Sequence, residues 1–240
     1  MDEQTMNAPA PDRLLPALLL ALTVVTGFVD AVSYLALGRV FTANMTGNVV
    51  FLGFAMVAVP GLSIGRSGVA LGAFVIGATI GGRLAARIAS GTRLRWASVG
   101  FGIEAILLLA AAALAAGAGD DLLRDPARLY GLITLTGLAM GVRNAVVRKV
   151  AERGLTTTVL TMTITGIAAD STLAGGRNPG WTRRALSVAL MFAGAATGAF
   201  LLRYSVALPV AVSGIVSGLC ALGARVGGAY AAGEPRERRS

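Results

Sequence analysis

The sequence contains no histidine and only one cysteine, and these absences exclude several kinds of site. Zinc, haem and iron–sulfur centres depend on imidazole and thiolate ligands, so we expect no metal site and no cofactor. A Ser–His or Cys–His catalytic pair is also impossible. An enzyme would have to rely on carboxyl and hydroxyl groups alone, and we therefore predict that the chain is not an enzyme.

Charged residues are also scarce, at 14% of the chain, whereas hydrophobic residues make up 55%. A soluble domain carries roughly one quarter charged residues. The apolar residues form long uncharged runs, such as 185–202 and 205–224, and a helix needs about 20 such residues to cross a bilayer. The sequence therefore predicts an all-α integral membrane protein with the lipid bilayer as its main partner.

The net charge of +9 does not indicate a nucleic-acid partner, because the basic residues lie at the edges of the apolar runs. Arg83, Arg87, Arg93 and Arg95 flank one such edge. Cytoplasmic loops of membrane proteins accumulate arginine and lysine in this way. We expect a multi-pass protein of a bacterial inner (plasma) membrane and no nucleic-acid partner.

The distribution of basic residues also favours one topology. If all eight apolar segments cross, the 21 basic residues divide 11 to 10. If segments 41–59 and 155–175 enter and leave on one side, 16 lie inside and five outside, as the positive-inside rule favours. We predict about six transmembrane helices, two re-entrant or broken helical segments and cytoplasmic termini, although segment 41–59 is long enough to cross. The apolar segments are 14–38, 41–59, 67–88, 96–117, 129–148, 155–175, 184–203 and 205–226.

Short motifs recur in the same order in both halves of the chain. The pattern G-x-x-[DN]-A begins at residues 27 and 141, T-x-x-x-T-G at 42 and 161, and G-x-x-x-G at 77 and 194. The offsets are 114, 119 and 117 residues. Three spans per half would place the second half upside down, so we predict a 3+3 inverted internal repeat, as in many transporters. The predicted organisation is a flexible tail (1–12), a first repeat half (13–117), an external loop (118–128), a second half (129–227) and a basic flexible tail (228–240).

Three stretches carry a resemblance to a known family. They are TGFVDAVSYLALGRVFTANMTGNVVFLGFA (26–55), GVRNAVVRKV (141–150) and TTTVLTMTITGIAAD (156–170). Together they resemble the YoaK family of bacterial membrane proteins, and ANMTGN is the most specific part. The resemblance implies a multi-spanning bacterial membrane protein and implies no particular activity.

Two acidic residues lie within predicted spans, where a carboxylate costs roughly 2.5–3.5 kcal/mol on insertion scales. Asp30 is a candidate site for a solute or a proton, with Asn144 as its uncharged counterpart in the second half. The alternative is that Asp30 is bonded to a nearby arginine or backbone donor and fixes packing. Glu104 is a second candidate for proton coupling, and its alternative is a salt bridge to a loop arginine.

The repeated Thr/Asn-Gly segments are the remaining candidates for solute binding. The first carries amide and hydroxyl groups at the start of an apolar helix, where free backbone N–H groups receive polar or anionic ligands. The second carries hydroxyls at helical spacing. The alternative is that these groups cap helices and join neighbours. The candidate residues are Asn44, Thr46, Asn48, Thr161 and Thr165.

Arg143 also lies in a repeated motif and is a secondary candidate for the site. Because it heads a basic cluster with Arg148, Lys149 and Arg153, we interpret it as an interfacial anchor. The pairs Gly77/Gly81 and Gly194/Gly198 have the spacing that permits close helix packing. Such glycine-rich faces also permit an oligomer.

These features favour a small-solute transporter or channel whose polar site is built from the two repeated segments, with a small polar or ionic solute as its ligand. The alternative is a non-transporting membrane scaffold, assembly factor or sensor.

Overall fold

The computed structural model describes residues 10–87, 93–117, 122–150 and 160–233, and these residues form α-helices and short 3₁₀ turns without any strand. The 3₁₀ turns lie at Leu122–Arg124 and Thr172–Ala174, each ahead of a long helix. The helices are α1 (Ala10–Leu35), α2 (Met45–Met56), α3 (Ile64–Arg87), α4 (Arg93–Ala116), α5 (Pro126–Val150), α6 (Leu160–Ala169), α7 (Trp181–Leu201) and α8 (Ala207–Gly233).

Six of these helices are long and apolar enough to cross a membrane, while α2 and α6 are shorter. The 12 residues of α2 extend about 18 Å at 1.5 Å per residue, well short of the roughly 30 Å hydrocarbon core. The prediction of six long apolar helices and two shorter segments is confirmed.

The predicted tails lie mostly outside the described residues. Helix α1 begins at Ala10, within the stretch 1–12, and α8 continues to Gly233, within the stretch 228–240. Residues 118–121 of the predicted external loop also lie outside the description.

Several long helices begin with a side chain that bonds a free backbone N–H. Ser63 Oγ accepts from Arg66 N at 3.3 Å before α3, and Ser205 Oγ accepts from Leu208 N at 3.2 Å before α8. Asp125 Oδ1 accepts from Arg128 N at 3.2 Å, directly ahead of Pro126 in α5. Serine and aspartate stabilise helix N-termini in this way, and proline fits the first helical position.

The helices pack in a pattern that repeats between the two halves. Helices α4 and α8 pack against each other; α5 also packs on α4, and α1 on α8. Helix α3 packs on α5, and α7 on α1. The short helices follow the same rule, with α2 on α3 and α6 on α7. If each helix is exchanged with its counterpart in the other half (α1 with α5, α2 with α6, α3 with α7 and α4 with α8), the set of main packed pairs stays the same.

Glycines bring the backbones of α3 and α5 into direct contact. A Cβ on Gly77 would overlap Leu138 of α5, and a Cβ on Gly81 would overlap Val142. A Cβ on Gly141 of α5 would overlap the backbone of α3. Small residues at these positions let the two helices approach closely.

The same contact occurs between α7 and α1. Gly194 lies against the backbone at Val24, and Gly198 against Phe28. These glycines follow those of α3 by 117 residues, and their partners precede those of α5 by 114 residues. The glycine faces of α3 and α7 are therefore occupied by contacts within the chain.

The turns that follow the two short helices also correspond. Ala58 (φ 60°) and Gly61 (φ 83°) have left-handed backbone conformations after α2, and Gly175 (φ 81°) and Asn178 (φ 53°) have them after α6. The offset is again 117 residues. These correspondences support the predicted repeat, and its inverted sense stays a prediction.

Candidate functional site

Arg143 is a fully buried charged residue inside the helix bundle, with 1% of its surface exposed. Its Nη1 donates to Leu22 O of α1 at 3.1 Å and to Glu104 Oε1 of α4 at 3.1 Å. Its Nη2 donates to Thr26 Oγ1 at 2.5 Å. Arg143 of α5 thus joins three helices, and the interpretation of it as an interfacial anchor is wrong.

Glu104 is the partner of Arg143 and is 0% exposed. The salt bridge expected for Glu104 exists, but its partner is this buried arginine and not a loop arginine. Ser217 of α8 lies beside the carboxylate. Neither Ser217 Oγ nor Glu104 Oε2 has a hydrogen-bond partner of good geometry.

Asp30 lies on α1 one helical turn beyond Thr26, so both side chains lie on the same face. The charge of Arg143 acts on its carboxylate, and the backbone N–H of Ala43 lies beside it. Its Oδ1 is buried without a hydrogen-bond partner. The structure therefore brings Asp30 and Glu104 to the same arginine, while only Glu104 is bonded to it directly.

The segment before α2 folds back into the bundle to reach Asp30. Asn48, 1% exposed, holds this segment: its Oδ1 accepts from Phe41 N at 2.9 Å and its Nδ2 donates to Phe41 O. Between them, Thr42 is 0% exposed and its hydroxyl lacks a hydrogen-bond partner. The amide of Asn48 is thus committed to the backbone of its own segment.

The loops on either side of α2 contact each other. Arg66 Nη2 donates to Gly61 O at 3.1 Å and its guanidinium also lies against Gly38. The Arg39 side chain in turn lies against Gly61. Because Gly38 precedes α2 and Gly61 follows it, the segment between them, which contains α2, leaves and returns to the same end of the bundle, as a re-entrant segment does.

The turn between α6 and α7 is also held by an arginine. Arg184 Nη1, in the first turn of α7, donates to Asp170 Oδ2 at 2.6 Å and to Gly166 O at 2.8 Å. The approach to α6, residues 151–159, lies outside the described residues.

The remaining predicted site residues are bonded within their own helix or exposed on the surface of the chain. Asn144 donates from Nδ2 to Met140 O of its own helix at 2.8 Å. Helices α2 and α6 pack on different long helices. The other predicted site residues are exposed on the surface of the chain: Asn44, Thr46, Thr161 and Thr165.

The burial of Arg143 had a signal in the sequence. Met140 and Val147 lie three and four residues away on the same helical face and are apolar, whereas Arg148 and Lys149 point elsewhere and are exposed. Grouping these basic residues by proximity in sequence concealed this difference. Thr42 had a signal as the first residue of the repeated T-x-x-x-T-G motif, which marked its segment but not its burial. Ser217 had none, because many buried hydroxyls satisfy themselves within their own helix.

The cluster of Asp30, Glu104 and Arg143, hereafter the charged cluster, combines charged groups with unpartnered oxygen atoms of Asp30 and Glu104. Thr42, whose hydroxyl is also unpartnered, directly precedes Ala43 in the segment beside Asp30. Buried polar groups are almost always hydrogen-bonded, and exceptions often accompany function. The unpartnered carboxylate oxygen of Asp30 is chemically able to accept a proton or a hydrogen bond.

Comparison with known proteins gives the chain a family. The family described as "Protein of unknown function (DUF1275)" matches residues 18–223. The UPF0700 transmembrane protein YoaK of Bacillus subtilis (strain 168) is 32% identical over 156 residues, or 64% of this chain and 65% of that protein. The chain thus aligns with slightly less than two thirds of that relative, and no solved structure matches it. Since the family match runs from α1 to α8, the chain belongs to the DUF1275 family of multi-pass membrane proteins, as its resemblance to the YoaK family indicated.

Proposed function

We propose that this protein is a small-solute transporter whose polar site lies at the charged cluster, between α1 and the segment before α2. The observation that carries the proposal is that Asp30 Oδ1 is buried without a hydrogen-bond partner beside Ala43, and that the hydroxyl of Thr42, the residue before Ala43, is buried without a partner as well. An unsatisfied buried polar group costs about 1–3 kcal/mol. A bound solute or ion that supplied the missing partners would offset this cost.

The backbone around α2 supports the same proposal. Non-helical backbone at membrane depth is tolerated where protein or a water-filled cavity satisfies its polar groups. Residues 41–44 are non-helical, and Ala43 lies beside the carboxylate of Asp30. Transporters commonly place their substrates at such broken helices.

In this proposal the repeated segments have a different role from the charged cluster. Their candidate residues are Asn44, Thr46, Thr161 and Thr165. Because they are exposed on the surface of the chain, we propose that they face the solute pathway and not the closed site. Asn48 shapes the site through its bonds to Phe41.

The proposed location is the bacterial plasma membrane with both termini in the cytoplasm. Arg143 lies inside the bundle and so belongs to neither side, which leaves 15 basic residues inside and five outside. The asymmetry remains strong enough to set the orientation.

The alternative is a scaffold, assembly factor or sensor in which the charged cluster only fixes helix packing. The three hydrogen bonds of Arg143 fit that role as well. The unpartnered oxygens of Asp30 and Thr42 do not, because a packing cluster gains most when every member is satisfied.

The test is uptake of a mixed pool of small polar solutes into vesicles that contain the purified protein. The wild type is compared with Asp30→Asn and with Asp125→Asn, which makes the same chemical change at an exposed carboxyl group. We expect at least one solute to accumulate with the wild type and Asp125→Asn, and at least tenfold less with Asp30→Asn. Folded wild-type protein that transports none of the pool, or equal uptake by Asp30→Asn, would contradict the proposal.

A further inference from the structure

The charged cluster contains two carboxyl groups and one guanidinium group. Arg143 and Glu104 are bonded to each other inside the bundle, and Asp30 is the third member. If all three were ionised, the cluster would hold one uncompensated negative charge. An isolated charge in a low-dielectric interior is costly, and proteins usually neutralise or pair it.

Asp30 is the member without a direct ionic partner. The guanidinium of Arg143 is committed to Glu104, Leu22 O and Thr26. Arg143 acts on Asp30 electrostatically but without a hydrogen bond, and Asp30 Oδ1 has no hydrogen-bond partner. Any neutralising ligand is therefore needed at Asp30 and not at Glu104.

The charged group that acts on Asp30 from a neighbouring helix is Arg143 of α5, and the segment before α2 contributes the neutral N–H of Ala43. Helices α7 and α8 also pack on α1. Their charged residues in the described part of the chain lie well along these helices from Asp30, since α7 meets Phe28 at Gly198 and α8 meets Leu14 at Gly227. These residues are Arg183, Arg184 and Arg225. The neighbouring acid Glu104 faces Arg143 from α4.

The second half of the chain carries a neutral side chain at the corresponding position. Asn144 follows Asp30 by 114 residues, the offset seen in the glycine contacts of α1 and α5. An amide has nearly the shape of a protonated carboxyl group and, like it, carries a donor and an acceptor. The corresponding position thus accommodates a group shaped like neutral aspartate.

We propose that Asp30 is a proton-binding site: its carboxylate takes a proton from water on one side of the membrane, becomes a neutral carboxylic acid, and releases the proton on the other side. The proposal deepens the proposed function, on which it rests, by naming the proton as the coupling ion. Arg143 and Glu104 supply a fixed neutral pair beside it. Protonation also gives the carboxyl group an O–H, which can donate a hydrogen bond to a nearby oxygen atom.

The test is infrared difference spectroscopy of the reconstituted full-length protein as the pH is changed. We expect the carbonyl-stretch band of a protonated carboxyl group in the wild type, its loss as the pH rises, and its absence in Asp30→Asn. Asp125→Asn serves as the control and keeps the band. A band that persists unchanged in folded Asp30→Asn would overturn the proposal.

Isotope labelling provides a second measurement that does not depend on a variant. Carboxyl-¹³C aspartate shifts the bands of aspartic acid and leaves those of glutamic acid in place. We expect the titrating band of wild-type protein to shift with the label; a band that does not move would assign the proton elsewhere and overturn the proposal. Because neither spectrum requires transport, a missing band with intact solute uptake rejects only the proton site, whereas a titrating band without uptake rejects the transport function.

Discussion

Arg143 Nη1 lies 3.1 Å from Glu104 Oε1, and this pair joins α5 to α4 inside the bundle. Both residues have almost no exposed surface. Removing one partner of a buried ion pair is far more damaging than removing both, because the remaining charge stays buried. The charge balance of the cluster and the packing of α5 on α4 therefore depend on the same two residues.

We expect Arg143→Met to destabilise the protein by about 3–5 kcal/mol, the usual result of breaking a buried pair, because it leaves two acidic groups without their cation. The double variant Arg143→Met with Glu104→Leu should recover part of this loss. Unfolding of the purified protein in detergent measures both effects. Arg128→Met, which breaks an exposed pair with Asp125, should cost less than about 1 kcal/mol. A double variant that is less stable than Arg143→Met alone would contradict this assignment.

Because α3 packs closely on α5, the effect of a glycine-to-alanine substitution on stability should depend strongly on its position. Gly141→Ala places a methyl group into the backbone of α3, and we expect a loss of about 1–3 kcal/mol from overpacking. Gly72→Ala on α3, where a Cβ meets nothing within 4 Å, should be neutral or stabilising, since alanine favours a helix by up to about 1 kcal/mol. Thermal unfolding in detergent distinguishes them, and equal stabilities would be inconsistent with the helix contact.

The fold of the segment before α2 depends on Asn48. Asn48→Ala removes its bonds to Phe41, each with a net value of about 0.5–1.5 kcal/mol. We expect backbone amide hydrogen exchange in residues 40–48 to become roughly tenfold faster, the factor that corresponds to about 1.4 kcal/mol. Asn44→Ala is the matched control, because Asn44 makes no side-chain capping bond. Similar rates of amide hydrogen exchange in the two variants would contradict this role of Asn48.

The predicted orientation is tested with reporter fusions. Fusions after residues 90, 150 and 235 should report the cytoplasm, and a fusion after residue 122 should report the outside, because basic residues accumulate inside. The control is a fusion after residue 60, in the loop between α2 and α3, which should match residue 122. Opposite locations for residues 90 and 235 would reject the six-span topology.

The sequence predicted the long helices well, because each is an uncharged run long enough for a bilayer. It also predicted the short α2, through the distribution of basic residues. The charged cluster was predicted only in part, because Asp30 and Glu104 stood out as acids within spans but Arg143 did not stand out as the charge that acts on both. That arrangement joins positions 30, 104 and 143 of the chain. Pairings between such distant residues depend on helix rotation and tilt, which composition and spacing do not fix.

The most direct test of the account is whether water reaches the segment beside Asp30. In a Cys220→Ser background, a thiol is placed at Thr42, which is 0% exposed within the chain, or at Val75, which is 54% exposed in the middle of α3. We expect the Thr42 thiol to react with a small charged thiol reagent when the transporter opens, more slowly than a loop thiol at Pro60. The Val75 thiol should face lipid and stay unreacted. If the Thr42 thiol is as inert as the Val75 thiol while the Pro60 thiol reacts, the charged cluster is a closed packing element and the transport account is contradicted.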